Sequence, residues 1–367
     1  MRSLKPEDST LIQSSEASGF SSTTVATPVL PFTDAFVDDI RSTAWVWNQA
    51  GLGIALITLV NVEGSSPRPV GSQMVVNERG EYAGLISSGC VESALVHEAV
   101  SLLRSEAPEQ RLIRYGRDSD YFDIQLPCGS GIDVLILTRP ESNWFTPLCS
   151  AYQKRLPVEW SWNVSEARLN HLHQVPLDNA NPGPGHSAPS SRQWSRLEVE
   201  QKLANFSKSY RPRQRVVVVG QGAIFDYFLN LARAFDWHLV AYSSQFTVPC
   251  ENANCVFLPL NSPAQFAPDD LDPWTAVILL SHDHDWEVPI LKQVLSRNVG
   301  LISALGSRKT HETRRNLLRI EGISDTDIAR INGPAGLNIG GQTPPEIALS
   351  IVAEVVSSAN MRYYSGI

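Results

Sequence analysis

Short apolar runs alternate with amphipathic segments along most of this chain. The run from Ile54 to Val60 predicts a buried strand, and apolar residues spaced three and four positions apart between 91 and 104 predict a helix. In the second half, the β-branched run that ends at Gly220 and the runs 276–280 and 300–304 predict strands with helical segments between them. Strands that alternate with helices are typical of a parallel, doubly wound sheet.

Composition divides the chain into four segments. A length of 367 residues suggests two domains. Residues 1–33 are rich in Ser and Thr and poor in large apolar side chains, which predicts a disordered tail. Residues 176–212 begin with a Pro-, Gly-, Asn- and Ser-rich stretch, which predicts a linker. We therefore predict an α/β fold, with an N-terminal α/β domain at 34–175 and a Rossmann-like, doubly wound parallel-sheet domain at 213–361.

Charge and cysteine content exclude several kinds of protein. The net charge of −8 argues against a nucleic-acid-binding surface, which needs clustered Lys and Arg. No apolar run reaches the roughly 18 residues of a membrane helix, and the N-terminus lacks a secretory signal pattern. Five irregularly spaced cysteines without Cys-x-x-Cys fit free thiols in a reducing compartment better than a disulfide framework. We therefore expect a cytoplasmic protein that binds neither nucleic acid nor membrane.

Two of the cysteines lie beside glycines in predicted turns. Ser88-Gly89-Cys90 connects a predicted strand to the first amphipathic helix, so we expect the Cys90 thiol at the first turn of that helix. Unpaired N–H groups and the partial positive charge at a helix N-terminus favour a thiolate or a bound anion. Cys128 and Gly129 repeat the pattern before another predicted strand. Cys90 is therefore interpreted as a reactive or ligand-binding thiol, and Cys128 as either a second such thiol or a packing residue.

The second domain begins with a glycine turn that departs from the dinucleotide fingerprint. Gly220-Gln-Gly222 follows a predicted strand and would bring backbone close to a phosphate at the start of a helix. However, Phe225 stands where the third glycine is expected, and Ser243 and Ser244 stand where an acidic residue would bind the cofactor ribose. These residues disfavour NAD and NADP. They leave open a Rossmann-like fold without a dinucleotide and a phosphate-bearing ligand of another kind.

Two further polar segments follow predicted strands of this domain. The segment that contains His282 and Asp283 follows a predicted strand, and loops at the carboxyl ends of parallel strands form the ligand crevice. Three interpretations stay open: the segment lines a polar ligand site, it binds a metal, or it is only solvated. Gly306, Ser307 and Arg308 form either an anion cradle at the start of a helix or a helix cap with solvated charges.

These segments together resemble the XdhC/CoxI family of xanthine dehydrogenase accessory factors, over most of residues 36–356. The resemblance rests on segments 63–71, 88–92 and 128–129 in the N-terminal domain and on segments 218–222, 281–283, 304–310, 333–337 and 343–347 in the second domain.

The resemblance implies a non-catalytic protein that binds molybdenum cofactor (molybdopterin) transiently, supports its sulfuration and helps to insert it into a xanthine dehydrogenase-type molybdenum hydroxylase. It also implies that Cys90 contacts the molybdenum or its sulfur, which suits a soft thiolate ligand. The cofactor-binding residues expected on this basis are Arg68, Ser88, Gly89, Cys90, Glu92, Cys128, Gly129, Gly220, Gly222, His282, Asp283, Gly306, Ser307 and Arg308.

The expected partners are a molybdenum hydroxylase client, a cysteine desulfurase and a second copy of the chain in a homodimer. Two alternative functions remain open. One is an NAD(P)-binding Rossmann oxidoreductase that uses Gly220 and Gly222, and the other is a degenerate docking protein that holds no cofactor. Titration with NAD(P)H tests the first, and co-purification with a hydroxylase without bound pterin would favour the second. Analysis of the protein for pterin and molybdenum is the most informative single experiment.

Overall fold

The computed structural model describes residues 38–87, 89, 91–119, 129–163, 168–174, 205–245, 255–268, 271–281 and 283–364. Within these residues the chain forms an N-terminal domain with antiparallel sheets and a second domain with a parallel sheet. The predicted α/β fold class, with its Rossmann-like second domain, is confirmed. The predicted tail (1–33) and most of the predicted linker (176–212) lie outside the described residues.

A five-stranded sheet forms the centre of the N-terminal domain. The elements of this domain are α1 (Arg41–Gln49), β1 (Ile54–Glu63), β2 (Gln73–Asn77), β3 (Tyr82–Gly84), α2 (Glu92–Leu102), β4 (Gln110–Gly116), β5 (Gly131–Thr138), α3 (Ser142–Gln153), β6 (Val158–Asn163), β7 (Arg168–Gln174) and β8 (Asn205–Tyr210). The strand order is β3-β2-β1-β5-β4, with antiparallel neighbours throughout. The central strands β1 and β5 are buried on both faces, which explains their nearly continuous apolar sequences.

Each face of this sheet has its own core. Helix α2 covers one face, and its apolar residues pack with Ile57, Val134 and their neighbours. Helices α1 and α3 and a second sheet, of order β7-β6-β8, cover the other face. That second core is rich in aromatic side chains, which include Trp144, Trp160 and Trp162.

Strand β8 corrects the predicted linker. Residues 205–210 fall inside the range 176–212, yet they pair with β6 in the second sheet. The strand is polar at alternate positions, and its partner precedes it by about 40 residues in the sequence. A local pattern cannot reveal such a pairing, because the closing contacts are long-range.

The second domain has the strand order of a dinucleotide-binding fold. Its elements are β9 (Arg215–Gly220), α4 (Ala223–Ala232), β10 (His238–Ser243), β11 (Cys255–Pro259), a short 3₁₀ helix (Pro263–Gln265), β12 (Thr275–Leu280), α5 (His284–Leu295), β13 (Leu301–Ala304), α6 (Arg308–Ile320), α7 (Asp325–Ile328), β14 (Ile331–Asn332) and α8 (Pro344–Tyr364). All neighbours in the sheet β11-β10-β9-β12-β13-β14 are parallel. Numbered within the domain, this is the order 3-2-1-4-5-6 of the Rossmann fold, with its crevice between β9 and β12.

None of the helices in the described part of the chain combines the length and apolar character that a membrane span requires.

Candidate functional site

The strand ends that flank the two glycine-flanked cysteines in the sequence lie at one end of the five-stranded sheet. Strand β1 ends at this edge with Glu63, which pairs with Gly131 at the start of β5. Strand β3 ends at the same edge, because Gly84 pairs with Met74 near the start of β2. The loop that follows β3 leads to Cys90, and the loop that precedes β5 contains Cys128. Ser88, Cys90 and Cys128 themselves lie outside the described residues.

The carboxylate of Glu92 organises the turn that precedes α2, which we call the cysteine turn (residues 86–92). One of its oxygens accepts hydrogen bonds from the backbone N–H groups of Ile86 and Ser87, at 3.2 and 2.7 Å. The other accepts from the Ser87 hydroxyl at 2.7 Å and from the Val91 N–H at 3.2 Å. Glu92 is only 3% exposed. Both of its oxygens are engaged by the turn, so in this structure the carboxylate holds the turn.

Buried side chains anchor both ends of the cysteine turn. Ile86 and Val91 are completely buried in the core beneath α2. Between them, Gly89 is exposed, has a φ of +102°, and would meet no neighbour within 4 Å if it carried a Cβ. A positive φ is the reason why glycine suits this position. The turn thus exposes Gly89 on a fixed base.

Helix α2 begins later than the sequence pattern indicates. Its first residue is Glu92, and its N-cap is Val91, which has no side-chain cap. Cys90 lies outside the described residues, so the prediction that its thiol stands at the first turn of the helix stays a prediction. The Glu92 carboxylate accepts from the N–H of Val91, the N-cap residue itself, whereas an N-cap side chain would accept from the second or third residue of the helix.

An ionic network joins β1, β4 and β5 at the end of the sheet where β5 begins. Arg114 donates to Asp133 at 3.0 Å and to Glu63, and the Asn61 amide also donates to Asp133, at 2.9 Å. The Arg114 guanidinium passes over Gly131, where a Cβ would lie 2.5 Å from it. Asn61 and Asp133 are polar residues inside otherwise apolar strands, which is a sequence signal that our prediction did not use. The network fixes the strand ends from which Gly129 and Cys128 extend.

Arg68 points toward the junction between the two domains. Its guanidinium pairs with Asp38, and its backbone N–H donates to the Ser66 hydroxyl at 3.3 Å. The residue lies in the loop between β1 and β2, which starts at the edge of the sheet that carries the cysteine loops. The prediction that Arg68 binds the cofactor stays a prediction.

The Rossmann domain has a separate crevice at the carboxyl ends of β9, β10 and β12. The crevice has a volume of about 270 Å³. Gly220 allows the strands to approach closely here, because a Cβ on it would lie 2.5 Å from the carbonyl oxygen of Leu280. The Ser244 hydroxyl donates to the side chain of Gln221 at 2.7 Å. The residues that line the crevice are Val219, Gly220, Gln221, Tyr242, Ser243, Ser244, Leu260, Leu279, Ser281, Asp283, Trp286, Glu287 and Ile290.

The polar segment after β12 forms the start of a helix. Asp283 is the N-cap of α5, and its carboxylate accepts from the backbone N–H of Asp285 at 2.9 Å. The helix begins at His284. His282 lies outside the described residues. Within the part of the chain that the structure describes, no three His, Cys, Asp or Glu residues are grouped to hold a metal.

The segment after β13 caps a helix as well. The Ser307 hydroxyl accepts from the backbone N–H of Thr310 at 3.1 Å, which makes Ser307 the N-cap of α6. Arg308 is the first, exposed residue of that helix. Gly306, Ser307 and Arg308 are not among the residues that line the 270 Å³ crevice. Of the candidate residues in this domain, the structure brings Gly220 and Asp283 together, and Gly222 lies beside them as the N-cap of α4.

Two family models match this chain, one in each domain. The model described as the XdhC and CoxI family matches residues 47–116, which include the cysteine turn. The model described as the XdhC Rossmann domain matches residues 216–355.

Two curated proteins are similar to the chain over most of its length. A protein of Escherichia coli (strain K12) named molybdenum cofactor insertion chaperone PaoD is 30% identical over 310 residues, which cover 84% of each chain. A protein of Bacillus subtilis (strain 168), named as a probable xanthine dehydrogenase subunit, is 27% identical over 325 residues, which cover 83% of this chain and 92% of that protein.

One solved structure shares the whole architecture. A protein from Bacillus halodurans, described as a xanthine dehydrogenase, superposes with a TM-score of 0.64 over 88% of this chain and 96% of its own. At 22% sequence identity this likeness establishes the fold alone.

Proposed function

Because this chain belongs to the XdhC and CoxI family, we propose that it binds molybdenum cofactor as cargo and helps to insert it into a molybdenum hydroxylase of the xanthine dehydrogenase type. The proposal includes support for sulfuration of the cofactor, with a cysteine desulfurase as the sulfur source. In this role the chain is a carrier, and the chemistry of substrate oxidation belongs to the client enzyme.

The observation that carries the proposal is the cysteine turn. A carboxylate with four hydrogen bonds and two buried anchors fixes its backbone, while Gly89 between the anchors is exposed. A fixed base limits the ordering entropy that cargo binding would otherwise cost. The turn also precedes the N-terminus of α2, whose unpaired N–H groups favour a negatively charged group.

We assign the contact with the cargo to Cys90. A thiolate is a soft ligand and suits a metal that carries sulfur ligands. Cys128 precedes β5 by three residues in the sequence and offers a second thiol. Molybdopterin also carries a phosphate, for which backbone N–H groups at a helix start are suitable donors.

The proposal is tested by producing the protein together with the cofactor pathway and analysing it for pterin and molybdenum. We expect the wild-type protein to contain both, and Cys90→Ala to lose most of them. Cys149→Ala is the matched control. Its thiol is 2% exposed, and burial raises its pKa to about 12, so it stays protonated and inert at neutral pH. Equal cofactor content in the Cys90 variant would overturn the assignment of that thiol.

A transfer assay tests the second half of the proposal. The loaded protein is mixed with a cofactor-free molybdenum hydroxylase, and the recovered activity is measured with and without a cysteine desulfurase and cysteine. We expect recovery that depends on the loaded protein and rises when the sulfur source is present. A protein that retains pterin but restores no activity would be a cofactor-binding protein without an insertion function.

A further inference from the structure

A cavity of about 460 Å³ lies at the junction of the two domains, apart from the cysteine turn and the Rossmann crevice. Its volume falls within the range of about 300–1,000 Å³ that small-molecule sites occupy, and domain junctions are preferred places for such sites. Residues from both domains line it: Asp38, Asp39, Gln73, Lys208, Ser209, Tyr210, Arg211, Pro212, Arg213, Gln214, Ala234, Phe235, Asp236, Trp237, Trp274, Ala359 and Asn360.

Arginine side chains engage all three carboxylates of this interdomain cavity. Arg68 pairs with Asp38. Arg41, which is 1% exposed, pairs with Asp39 at 2.5 Å. Arg213 pairs with Asp236 at 2.6 Å. Each of the three pairs is neutral. The net charge of the cavity is therefore set by its other ionisable groups.

Lys208 carries a positive charge that none of these three pairs neutralises. Its Nζ donates to the carbonyl of Gly71 at 2.6 Å and lies 5.0 Å from the centre of the Tyr210 ring. No ion pair of Lys208 with a carboxylate occurs among the described residues, since the two nearby ones, Asp38 and Asp39, are held by arginines. An ammonium group has three donors, so Lys208 can still bind an acceptor that enters the cavity.

A second donor, on the side chain of Arg41 beside the Tyr210 ring, has no acceptor. The Nη1 atom of Arg41 is buried and has no hydrogen-bond partner. The guanidinium lies 4.6 Å from the centre of the Tyr210 ring, and Tyr210 lines the cavity. Buried donors without acceptors are rare in folded proteins, and each one indicates a missing partner. Arg41 is not among the residues that line the cavity and its charge is paired with Asp39, so the group that an entering anion would meet here is the Lys208 ammonium.

Aromatic side chains of the Rossmann domain also line the cavity. Phe235 and Trp237 are stacked, with ring centres 4.4 Å apart and planes 15° from parallel. Trp274 is a third aromatic residue of the lining. A preformed stack of this kind offers a surface to a further flat ring, because aromatic rings attract one another in offset-stacked geometry.

We propose that the interdomain cavity binds a phosphate monoester of a planar heteroaromatic compound, with the phosphate on Lys208 and the ring against the wall formed by Phe235 and Trp237. The site depends on the two domains together, because Lys208 comes from β8 and the aromatic wall from the Rossmann domain. The proposal does not depend on Cys90 or on molybdenum cofactor, so it can hold or fail independently of the proposed function.

The protonation of Lys208 gives the site a characteristic pH dependence. Burial lowers the pKa of Lys208 to about 8; Asp38 and Asp39 oppose this shift, and Arg41 and Arg68 add to it. Burial raises the pKa of Tyr210, so that group stays neutral over the same range. As the pH rises through about 8 the free ammonium loses its proton, and the attraction for a phosphate dianion is lost. Binding should therefore be tighter at about pH 7 than at about pH 9.5.

Calorimetric titration of the full chain with three probes tests the proposal. The probes are adenosine 5′-monophosphate, adenosine and inorganic phosphate. We expect the monophosphate to bind more tightly than either of the others, because only it engages both walls. Lys208→Met should weaken its binding at least about tenfold and remove the pH dependence, because the charge-assisted contact is lost. Lys292→Met is the matched control and should bind as the wild type does, because Lys292 is an exposed lysine of α5.

A second variant tests the aromatic wall. Phe235→Leu should weaken binding of the monophosphate about three- to tenfold and leave the binding of inorganic phosphate unchanged, because a stacked pair contributes about 0.5–1.5 kcal/mol. The proposal is overturned if Lys208→Met binds the monophosphate as tightly as the wild type does, if phosphate or adenosine alone binds as tightly as the monophosphate, or if no probe binds.

Discussion

At the scale of single residues, Glu92 is the group on which the cysteine turn depends most directly. Its side chain belongs to the first residue of α2, yet it binds backward to the turn and not to the helix that follows. A carboxylate can accept several hydrogen bonds at once, which is why an acid serves here. We therefore infer that Glu92 positions the cysteine turn, while its direct contact with the cofactor stays a prediction.

Glu92→Gln should lower the free energy of unfolding by about 2 kcal/mol. An amide has only one acceptor oxygen, so two donors of the turn would be left without a partner in a buried site. Cofactor retention should fall with it, because the turn loses its fixed shape. Urea unfolding and pterin analysis measure the two effects.

Glu98→Gln on the same helix is the control for Glu92. Glu98 pairs with Arg111, whose side chain is 50% exposed, so this change should cost less than about 1 kcal/mol and spare the cofactor. Unfolding curves that coincide for the two variants would contradict the positioning role of Glu92.

At the scale of elements, a buried ion pair connects α5 to α6 beneath the Rossmann crevice. Arg314 donates to both oxygens of Glu287, at 3.0 and 3.1 Å, and to the carbonyl of Leu305 at 2.7 Å. The two side chains are 0% and 1% exposed. Since Glu287 lines the crevice, this pair also sets the position of one crevice wall.

Arg314→Met should lower the free energy of unfolding by about 3–5 kcal/mol, because it leaves the Glu287 carboxylate buried without its partner. The double variant Glu287→Leu with Arg314→Met should recover most of this loss, because no charge then remains buried. Thermal or urea unfolding of the full chain measures both changes.

The same two helices supply the control for Arg314. Lys292 and Glu321 form an exposed pair at 2.7 Å, with side chains 42% and 48% exposed. Lys292→Met should change stability by less than about 1 kcal/mol. If Arg314→Met proves as mild as Lys292→Met, the buried pair does not connect the two helices in the way that we describe.

At the scale of the whole molecule, Arg155 fastens one domain to the other. It follows the C-terminus of α3 and donates to Asp272 at 2.7 and 3.1 Å and to the carbonyl of Arg213 at 2.8 Å. Burial alone would raise the pKa of Asp272, but the hydrogen bonds and charge of Arg155 lower it below its usual range. Because the pKa of Asp272 is lower in the folded state, its ionised carboxylate stabilises that state at pH values above about 4, the unfolded-state pKa. This stabilisation is lost as the pH falls through the folded-state pKa.

Arg155→Met should loosen the domain junction without unfolding either domain. We expect faster hydrogen–deuterium exchange at residues 211–214 and 271–275, because both segments lose a partner, and unchanged exchange in α2. The interdomain cavity should bind the monophosphate probe less tightly for the same reason. Arg319→Met is the control, because Arg319 pairs with Asp325 at the exposed surface of the Rossmann domain. Unchanged exchange at both segments would show that other contacts fasten the domains.

The sequence by itself determined the features that depend on neighbours along the chain. Hydrophobic spacing gives the type and order of most strands and helices, since side-chain periodicity follows backbone geometry directly. Glycines beside Cys90 and at Gly220 mark turns, and the motifs identify the family. Helix starts differ by a few residues where a side chain binds backbone groups at the helix start, as Glu92 does before α2 and Asp283 before α5.

Only the tertiary structure decided which distant residues meet. The pairing of β8 with β6, the contact of Lys208 with Gly71 across 137 positions and that of Arg155 with Asp272 across 117 positions have no local signature. Each contact depends on how the sheets and domains pack, because a polar residue in a sequence does not reveal whether it will be solvated or buried against a partner. The interdomain cavity exists only through such contacts, whereas the location of the cysteine turn is already visible in the sequence.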